Sequence, residues 1–176
     1  ENARSCAIPD AEPLTVSAPT GTRVPVLNPA DGTMVAHVTE ADAATVARAI
    51  DDARIWDAPA AERAAVLRRA ADLYEAEFGP IFATLAREAG KILPDAVGEL
   101  REAVDFLRYY AAEGKAATGV PRGIITAISP WNFPLAIFTG QIAAALMAGN
   151  AVVAKPAEQP PLSAAIAVRL LHQAGV

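Results

Sequence analysis

Residues 123–159 read GIITAISPWNFPLAIFTGQIAAALMAGNAVVAKPAEQ, and this stretch decides the fold. Two short runs rich in β-branched residues, 124–128 and 151–155, have the length of fully buried strands. The apolar segment between them is long enough to form the crossover helix that a pair of parallel strands requires. The pattern therefore predicts a βαβ unit, with the right-handed connection that is typical of such units.

Polar residues follow each of the two predicted strands. The first strand leads into Ser-Pro-Trp-Asn-Phe-Pro at 129–134, and the second ends at Lys155 and leads into Pro-Ala-Glu-Gln at 156–159. Ligands of open α/β sheets bind beyond the carboxyl ends of the strands. The sequence therefore predicts a ligand site where these two loops meet.

The segment before residue 123 predicts a hairpin followed by four helices. Its first part, 1–23, is rich in proline and has no periodicity, so we expect an extended or disordered arm. Strand-like runs at 24–27 and 33–38 flank a turn of Asn-Pro-Ala-Asp-Gly and predict the hairpin. Apolar periodicity, caps and breaks predict the four helices, and a fifth after the βαβ unit, at 39–56, 59–78, 81–89, 94–114 and 161–175.

Together these elements predict an α/β protein in which a hairpin and helices precede the start of a Rossmann-like parallel sheet. Two strands are too few for an independent sheet of this kind, so residues 24–176 are predicted to form one layered unit. Parallel sheets normally have several strands covered on both faces. The chain is therefore interpreted as the front part of a larger α/β protein.

The composition argues against several function classes. A formal net charge of −5 and a pI near 5.0 give no bulk attraction for a nucleic-acid backbone. A single cysteine, Cys6, cannot form an intrachain disulfide, and two widely separated histidines have no metal-ligand spacing. Residues 1–20 lack the apolar core of a signal peptide, and the most apolar stretch, 135–149, is too short to span a membrane. We expect a soluble protein, compatible with a reducing cytoplasm.

Asn132 is the residue of the first loop whose role the sequence leaves open. Prolines at 130 and 134 rigidify this loop, and a side-chain amide held there can donate a hydrogen bond to a developing oxyanion. Asparagine is also a frequent cap of the helix that follows it. From the residues alone, the cap is the commoner use of such an asparagine.

Lys155 and Glu158 in the second loop also have two interpretations. A carboxylate past a strand can bind ribose hydroxyls, with the lysine as a further hydrogen-bond donor. The same two residues can form a solvated ion pair that contributes little to stability. Likewise, the charged side of the predicted fourth helix, which includes Glu102, is either solvated or borders a substrate channel. Glycine-rich phosphate loops and the G-x-S-x-G motif are missing from the sequence.

The stretch SPWNFPLAIFTGQIAAALMAGN, together with KPAEQ and the upstream REAVDFLRYYA, resembles the aldehyde dehydrogenase superfamily. Within it, the sequence is most similar to the L-glutamate γ-semialdehyde (Δ1-pyrroline-5-carboxylate) dehydrogenase module of bacterial proline-utilisation proteins, PutA. The resemblance extends from about Val24 to Val176, and it implies that 24–176 is the N-terminal part of an NAD-binding aldehyde dehydrogenase domain.

The resemblance also implies roles for individual residues. Asn132 is implied to be the oxyanion-hole asparagine, and Phe133 to help enclose the aldehyde chain. Glu102 is expected on the substrate side from the interpretation of the fourth helix as the border of a substrate channel. Lys155 and Glu158 are implied to contact the adenine-side ribose of NAD. The residues implied to line the cofactor cleft are Ile128, Ser129, Pro130, Trp131, Lys155, Ala157 and Glu158.

In the family, the nucleophilic cysteine and the general-base glutamate lie C-terminal to the region present here. We therefore expect the chain alone to be inactive, and the parent enzyme, a homo-oligomer by the same resemblance, to oxidise an aldehyde with NAD. One alternative is another semialdehyde dehydrogenase of the same superfamily. A second alternative is a non-catalytic module that binds a partner or an aldehyde dehydrogenase subunit through an exposed sheet edge.

Overall fold

The computed structural model describes residues 6–15 and 18–176 and has the α/β architecture that the sequence predicts. An antiparallel hairpin is followed by four helices, a parallel βαβ unit and a last helix. A 3₁₀ turn at Gly114–Ala116 precedes the βαβ unit. The elements in chain order are β1 Arg23–Leu27, β2 Met34–Thr39, α1 Ala43–Asp52, α2 Ala60–Ala76, α3 Phe78–Glu88, α4 Leu93–Glu113, β3 Ile124–Ile128, α5 Ala136–Met147, β4 Ala151–Lys155 and α6 Pro161–Ala174.

The βαβ unit forms with the predicted strand bounds. Strands β3 and β4 are parallel, and their register places Ile124 opposite Ala151 and Ile128 opposite Lys155. Helix α5 begins at Ala136 rather than directly at Pro134, and it contacts both strands and α4. The carboxyl ends of the two strands therefore lie side by side, as a ligand site between their loops requires.

A helical layer supports this unit from behind. Helix α2 packs against α4, α5 and α6, and α4 packs against α5. The core between them contains large side chains that are at most 1% exposed: Tyr74, Phe138, Leu67, Ile81, Leu85, Leu107 and Leu135. Burial of such side chains stabilises the fold by roughly 1.5–3 kcal/mol each. The segment that enters α5 is consequently part of the main core.

The first helix is shorter than the predicted span of 39–56. It begins after Asp42, whose side chain accepts a hydrogen bond of 2.7 Å from the backbone N–H of Thr45. It ends at Asp52, and Trp56 lies beyond it. The backbone N–H of Trp56 donates to the carbonyl oxygen of Gly149 at 2.9 Å. The contact with Gly149 belongs to the tertiary structure, so apolar periodicity alone placed the end of this helix too late.

One further boundary differs from the sequence interpretation. The Gly79-Pro80 pair does not separate α2 from α3. It lies in the first turn of α3, where proline is tolerated because the first N–H groups have no partner within the helix. The region predicted as an arm includes residues 1–5, 16 and 17, which lie outside the described residues. Within the described part, Ala11 forms a parallel bridge with Val38 of β2.

None of the helices in the described ranges is both long and apolar enough to cross a membrane.

Candidate functional site

The first loop, 129–135, is anchored at its beginning by the neighbouring strand and by α5. Ser129 is buried, and its backbone N–H donates to the carbonyl oxygen of Lys155 at 3.1 Å. Its hydroxyl oxygen lies 3.3 Å from Oε1 of Gln141, to which it donates. The hydrogen bond to Lys155 ties the two predicted loops together where β3 and β4 end.

The end of the same loop is anchored by Glu99, a residue of α4. Helix α5 has no side-chain cap of its own, and Oε2 of Glu99 accepts hydrogen bonds from the N–H groups of Leu135 and Ala136, at 3.2 and 2.9 Å. The other oxygen, Oε1, forms an ion pair of 2.9 Å with Nζ of Lys91 and accepts no further hydrogen bond from the described residues. Since a helix N-terminus favours negative charge, this carboxylate stabilises the start of α5.

Glu99 had no role in the sequence interpretation, although one signal for it exists. It stands three residues after Ala96 and four before Ala103, both of which are buried on the inner face of α4. A charged residue in line with such a face is almost always paired when buried. Its partners come from other parts of the chain, so the sequence alone does not identify them.

Asn132 lies in the middle of the anchored loop and is exposed. Its side chain makes no hydrogen bond within the part of the chain that the structure describes. The helix-cap alternative for this residue is wrong, because α5 begins four residues later, at Ala136, and Glu99 supplies its cap. Among the described residues, the side-chain amide of Asn132 therefore takes part in no structural hydrogen bond.

The other residues of the first loop leave apolar surface next to Asn132. The side chains of Ile128 and Trp131 are 65% and 63% exposed, and Phe133 is 38% exposed. The ammonium group of Lys91 lies 4.6 Å from the centre of the Phe133 ring, within the range of a cation–π contact. Pro130 is half-buried. This surface can accept the flat apolar part of a ligand.

The second loop presents a cation and a carboxylate. Nζ of Lys155 lies 3.6 Å from Oε1 of Glu158, and it donates to the carbonyl oxygen of Pro156 at 3.1 Å. The two charged side chains are 52% and 77% exposed, so this loose pair contributes little to stability. Ala157 between them is half-buried. The structure thus keeps one donor and one acceptor accessible at the end of β4.

Glu102 lies elsewhere. It lines an open groove of about 640 Å³ on one face of α4, together with Gly98, Arg101, Asp105, Phe106 and Tyr109. No residue of either loop lines this groove, so the structure does not bring Glu102 together with Asn132. Arg108, a neighbour on the same helix, pairs instead with Asp72 and Glu75 of α2, at 3.1 and 2.7 Å.

A second buried carboxylate, Glu88 of α3, caps α6 as Glu99 caps α5. Its two oxygens accept hydrogen bonds from the N–H groups of Leu162 and Ser163, at 2.7 and 2.6 Å. Burial raises the pKa of Glu88 to about 7, while the hydrogen bonds from Ser163 and Leu162 act in the opposite direction. The sequence interpretation did not identify Glu88 either. Among the described residues, no group of His, Cys, Asp and Glu side chains could hold a metal ion.

Comparison with protein families gives one match. The model described as "Aldehyde dehydrogenase family" matches residues 16–176. Among curated proteins, the chain is 53% identical over 166 residues to the "Bifunctional protein PutA" of Klebsiella aerogenes, covering 89% of this chain and 13% of that protein. The chain therefore spans only a small part of the length of this relative.

Solved structures share the fold. A PutA from Bdellovibrio bacteriovorus is 30% identical with a TM-score of 0.90, and the alignment covers 99% of this chain and 21% of that one. A 1-pyrroline-5-carboxylate dehydrogenase from Thermus with bound NAD is 31% identical with a TM-score of 0.85, and the alignment covers 96% of this chain and 38% of that one. Both similarities extend over nearly the whole chain.

Proposed function

Because this chain belongs to the aldehyde dehydrogenase family, we propose that it forms the N-terminal part of an NAD-dependent enzyme that oxidises L-glutamate γ-semialdehyde to glutamate. The observation that carries the proposal is Asn132, whose side chain is exposed and makes no hydrogen bond to any described residue, on a loop anchored at both ends. The choice of aldehyde is supported by the relatives named PutA and 1-pyrroline-5-carboxylate dehydrogenase.

Asn132 is proposed to donate its side-chain amide to the oxyanion that develops on the aldehyde. A preorganised donor is most effective when it makes its hydrogen bond in the transition state and does not have to reorganise. The anchored ends of the loop meet this requirement. The nucleophile and the general base are expected to come from another segment of the complete protein, so the chain alone is expected to be inactive. The cysteine of this chain, Cys6, is not proposed as the nucleophile; its carbonyl oxygen accepts a hydrogen bond from Arg87 of α3.

The residues at the strand ends fit a nicotinamide dinucleotide. Lys155 offers a donor and Glu158 an acceptor for ribose hydroxyls, and Ile128 and Trp131 offer exposed apolar surface beside them. The cofactor cleft is proposed to be lined by Ser129, Pro130 and Ala157 as well. When bound, NAD supplies the hydride acceptor. The carboxylate of Glu158 would repel a 2′-phosphate, which supports NAD rather than NADP.

The substrate side is proposed to involve Phe133 and Glu102. Phe133 follows Asn132 directly and is partly exposed, so its ring can contact the aldehyde chain. Glu102 is proposed only to border the approach of the substrate and not to contact the reacting aldehyde, since it lines the groove on α4, which no residue of the two loops lines.

The decisive experiment substitutes Asn132 in the complete protein and measures NAD reduction with L-glutamate γ-semialdehyde. Asn132→Ala is expected to lower kcat by a factor on the order of 10²–10³, the usual loss for one oxyanion donor. Folding and the KM for NAD are expected to change little. Asn132→Asp is expected to abolish turnover as well, because a carboxylate repels the oxyanion. Near-normal turnover of Asn132→Asp would refute the role.

Asn150 provides the matched control. It is a buried amide whose Oδ1 accepts hydrogen bonds from the backbone N–H groups of Arg122 and Gly123, at 2.6 and 3.1 Å. Its Nδ2 donates to the carbonyl oxygen of Ala145 at 3.0 Å. Asn150→Ala is therefore expected to lower the melting temperature and to leave kcat of the folded protein nearly unchanged. The opposite pattern in the two variants separates a catalytic amide from a structural one.

A second candidate function is a binding module without activity of its own. Within the described residues, β3 and β4 pair only with each other, and Ile124 on β3 is 42% exposed. Such an edge can pair with another chain. Size-exclusion chromatography with light scattering tests this candidate. A monodisperse monomer that does not associate with aldehyde dehydrogenase subunits would count against it.

A further inference from the structure

The loop that carries Asn132 is held by a charged pair from outside the loop. We infer that Lys91 and Glu99 are positioning residues for Asn132, which fix the orientation of its amide without touching the substrate. This inference rests on the proposed function of Asn132 as the oxyanion donor. It concerns two residues that lie in the turn after α3 and on α4.

Asn132 does not hold its own side chain in place. Its side chain makes no hydrogen bond within the described ranges, so its direction depends on the backbone on either side. On one side, Ser129 is tied to β4 and α5. On the other side, the N–H groups of Leu135 and Ala136 are tied to Glu99. The contact with Glu99 thus fixes the backbone three residues after Asn132.

Glu99 in turn needs Lys91 as its counter-charge. Glu99 is 2% exposed, and Oε1 of its carboxylate lies 2.9 Å from Nζ of Lys91 and accepts no other hydrogen bond within the part of the chain that the structure describes. A buried carboxylate without a counter-charge is strongly unfavourable. The Lys91 side chain is itself only 16% exposed, so solvent screens this pair much less than a surface pair. Lys91 therefore keeps the anion at the start of α5.

Lys91 also makes a second contact, with the residue next to Asn132. Its ammonium group lies 4.6 Å from the centre of the Phe133 ring. Lys91 is held at its own backbone, where its N–H donates to the carbonyl oxygen of Leu85 at 3.2 Å. The preceding Gly90 has a φ of +65°, which lets the chain turn directly after α3. One cation thus contacts Phe133 directly and holds Leu135 and Ala136 through Glu99.

The consequence is a specific kinetic effect. A displacement of about 1 Å in a catalytic group can cost on the order of 10² in rate. Loosening the loop is therefore expected to lower kcat. The KM for NAD is expected to change less, because Lys155 and Glu158 belong to the other loop and the cofactor side of this loop is anchored separately, through Ser129.

The experiment compares Lys91→Met, Glu99→Gln and Lys91→Arg in the complete protein. The first two are expected to lower kcat about tenfold or more, with the KM for NAD within about twofold. Lys91→Arg keeps the charge and the cation–π contact, so it is expected to retain most of kcat. If Glu99→Gln does not fold, Lys91→Met and Lys91→Arg decide the question.

Glu88→Gln is the matched control, because it alters a buried carboxylate that caps another helix and does not contact the Asn132 loop. It is expected to reduce stability without lowering kcat. A decisive measurement is the double-mutant cycle. In an Asn132→Ala background, Lys91→Met is expected to lower kcat less than twofold further.

Two failures are distinguishable. If Asn132→Ala itself leaves kcat unchanged, the proposed function is wrong and the positioning role is lost with it. If Asn132→Ala lowers kcat but Lys91→Met and Glu99→Gln do not, only the positioning role is wrong. The positioning role alone is also wrong if Lys91→Met lowers kcat by the same factor in the wild-type and the Asn132→Ala backgrounds. Equal losses of kcat in Glu88→Gln and Glu99→Gln would lead to the same conclusion.

Discussion

Glu88 and Glu99 are two buried carboxylates with the same local task and different surroundings. Each accepts two backbone hydrogen bonds at the start of a helix that has no side-chain cap of its own, Glu88 at α6 and Glu99 at α5. Glu88 uses both oxygens for this purpose. Glu99 uses one oxygen for the helix and the other for Lys91. Among the described residues, no cation pairs with Glu88.

The difference shows what the added cation does. Without a cation, the carboxylate belongs to its helix alone, and burial raises the pKa of Glu88 to about 7. With a cation, the same kind of cap becomes a connection between the start of α5 and the turn after α3. That connection also reaches Phe133, in the loop that carries Asn132. The cap at α6 is structural, and the cap at α5 lies next to the proposed active site.

The largest expected effect comes from breaking the pair at α5. Glu99→Ala leaves Lys91 without its counter-charge and two N–H groups uncapped, so we expect a loss of about 3–5 kcal/mol in the free energy of unfolding. The double substitution Glu99→Leu and Lys91→Met removes both charges and is expected to recover part of this loss. Denaturant titration of both variants measures the difference. Equal instability of the single and double variants would contradict the ion pair as the cause.

Glu88→Ala is expected to have a smaller effect, of about 2–3 kcal/mol, because it removes two charge-assisted hydrogen bonds but leaves no cation behind. Hydrogen–deuterium exchange should rise in peptides from the first turns of α6, 161–168, and much less in peptides from α5. Glu75→Ala is the control, since its carboxylate belongs to a surface pair with Arg108. Equal exchange in α5 and α6 would show that Glu88 does not act locally.

The pH dependence gives a third test. The pKa of Glu88 is raised to about 7 in the folded state from an ordinary value of 4.5, so the folded state binds more protons between these two values. The free energy of unfolding should therefore be highest, with respect to this group, below pH 4.5, and should fall as pH rises towards 7. We expect a change on the order of 1–3 kcal/mol. Glu88→Gln should remove this slope; a slope that persists in the variant would assign it to another group.

The smallest effect concerns a neutral link between the two regions. The hydroxyl of Tyr74 on α2 lies 3.4 Å from Oγ1 of Thr139 on α5 and donates to the carbonyl oxygen of Ala167 on α6 at 3.2 Å. Tyr74→Phe keeps the volume, so we expect a loss of only about 1 kcal/mol, measured by thermal unfolding. Tyr110→Phe is the control, because the hydroxyl of Tyr110 forms no such link to any described residue. A loss as large as that of Glu88→Ala would show that this neutral contact matters more than the charged cap.

The sequence predicted those parts of the fold that local patterns control. The bounds of β3 and β4 follow from short β-branched runs, and the loops after them follow from the position of strand ends in a parallel sheet. The end of α1 was not predicted, because the apolar periodicity continues to Trp56 although the helix ends at Asp52, and the backbone N–H of Trp56 pairs with Gly149, a residue far along the chain. Local propensity does not contain such contacts.

The candidate site likewise contains residues that the sequence identified and residues that it did not. Asn132, Lys155 and Glu158 were identified because they follow predicted strands, and the roles given to them remain predictions. Glu99 is visible as a charge in line with a buried face, but its hydrogen bonds to the backbone of Leu135 and Ala136 exist only in three dimensions. For the same reason, the helix-cap interpretation of Asn132 was reasonable from the sequence and wrong in the structure.

The far ends of α5 and α6 are closed by arginines of a single helix. Arg63 of α2 donates through Nε to the carbonyl oxygen of Met147 at 3.0 Å, and Arg69 donates to that of Ala174 at 3.1 and 2.9 Å. Because the two arginines are six residues apart on the same helix, α2 fixes the positions of both contacts relative to each other. An insertion of one residue between them would rotate one arginine by about 100° and shift it by about 1.5 Å relative to the other. The number of residues between 63 and 69 therefore determines whether both contacts can form. We expect this segment of α2 to tolerate substitutions far better than insertions or deletions.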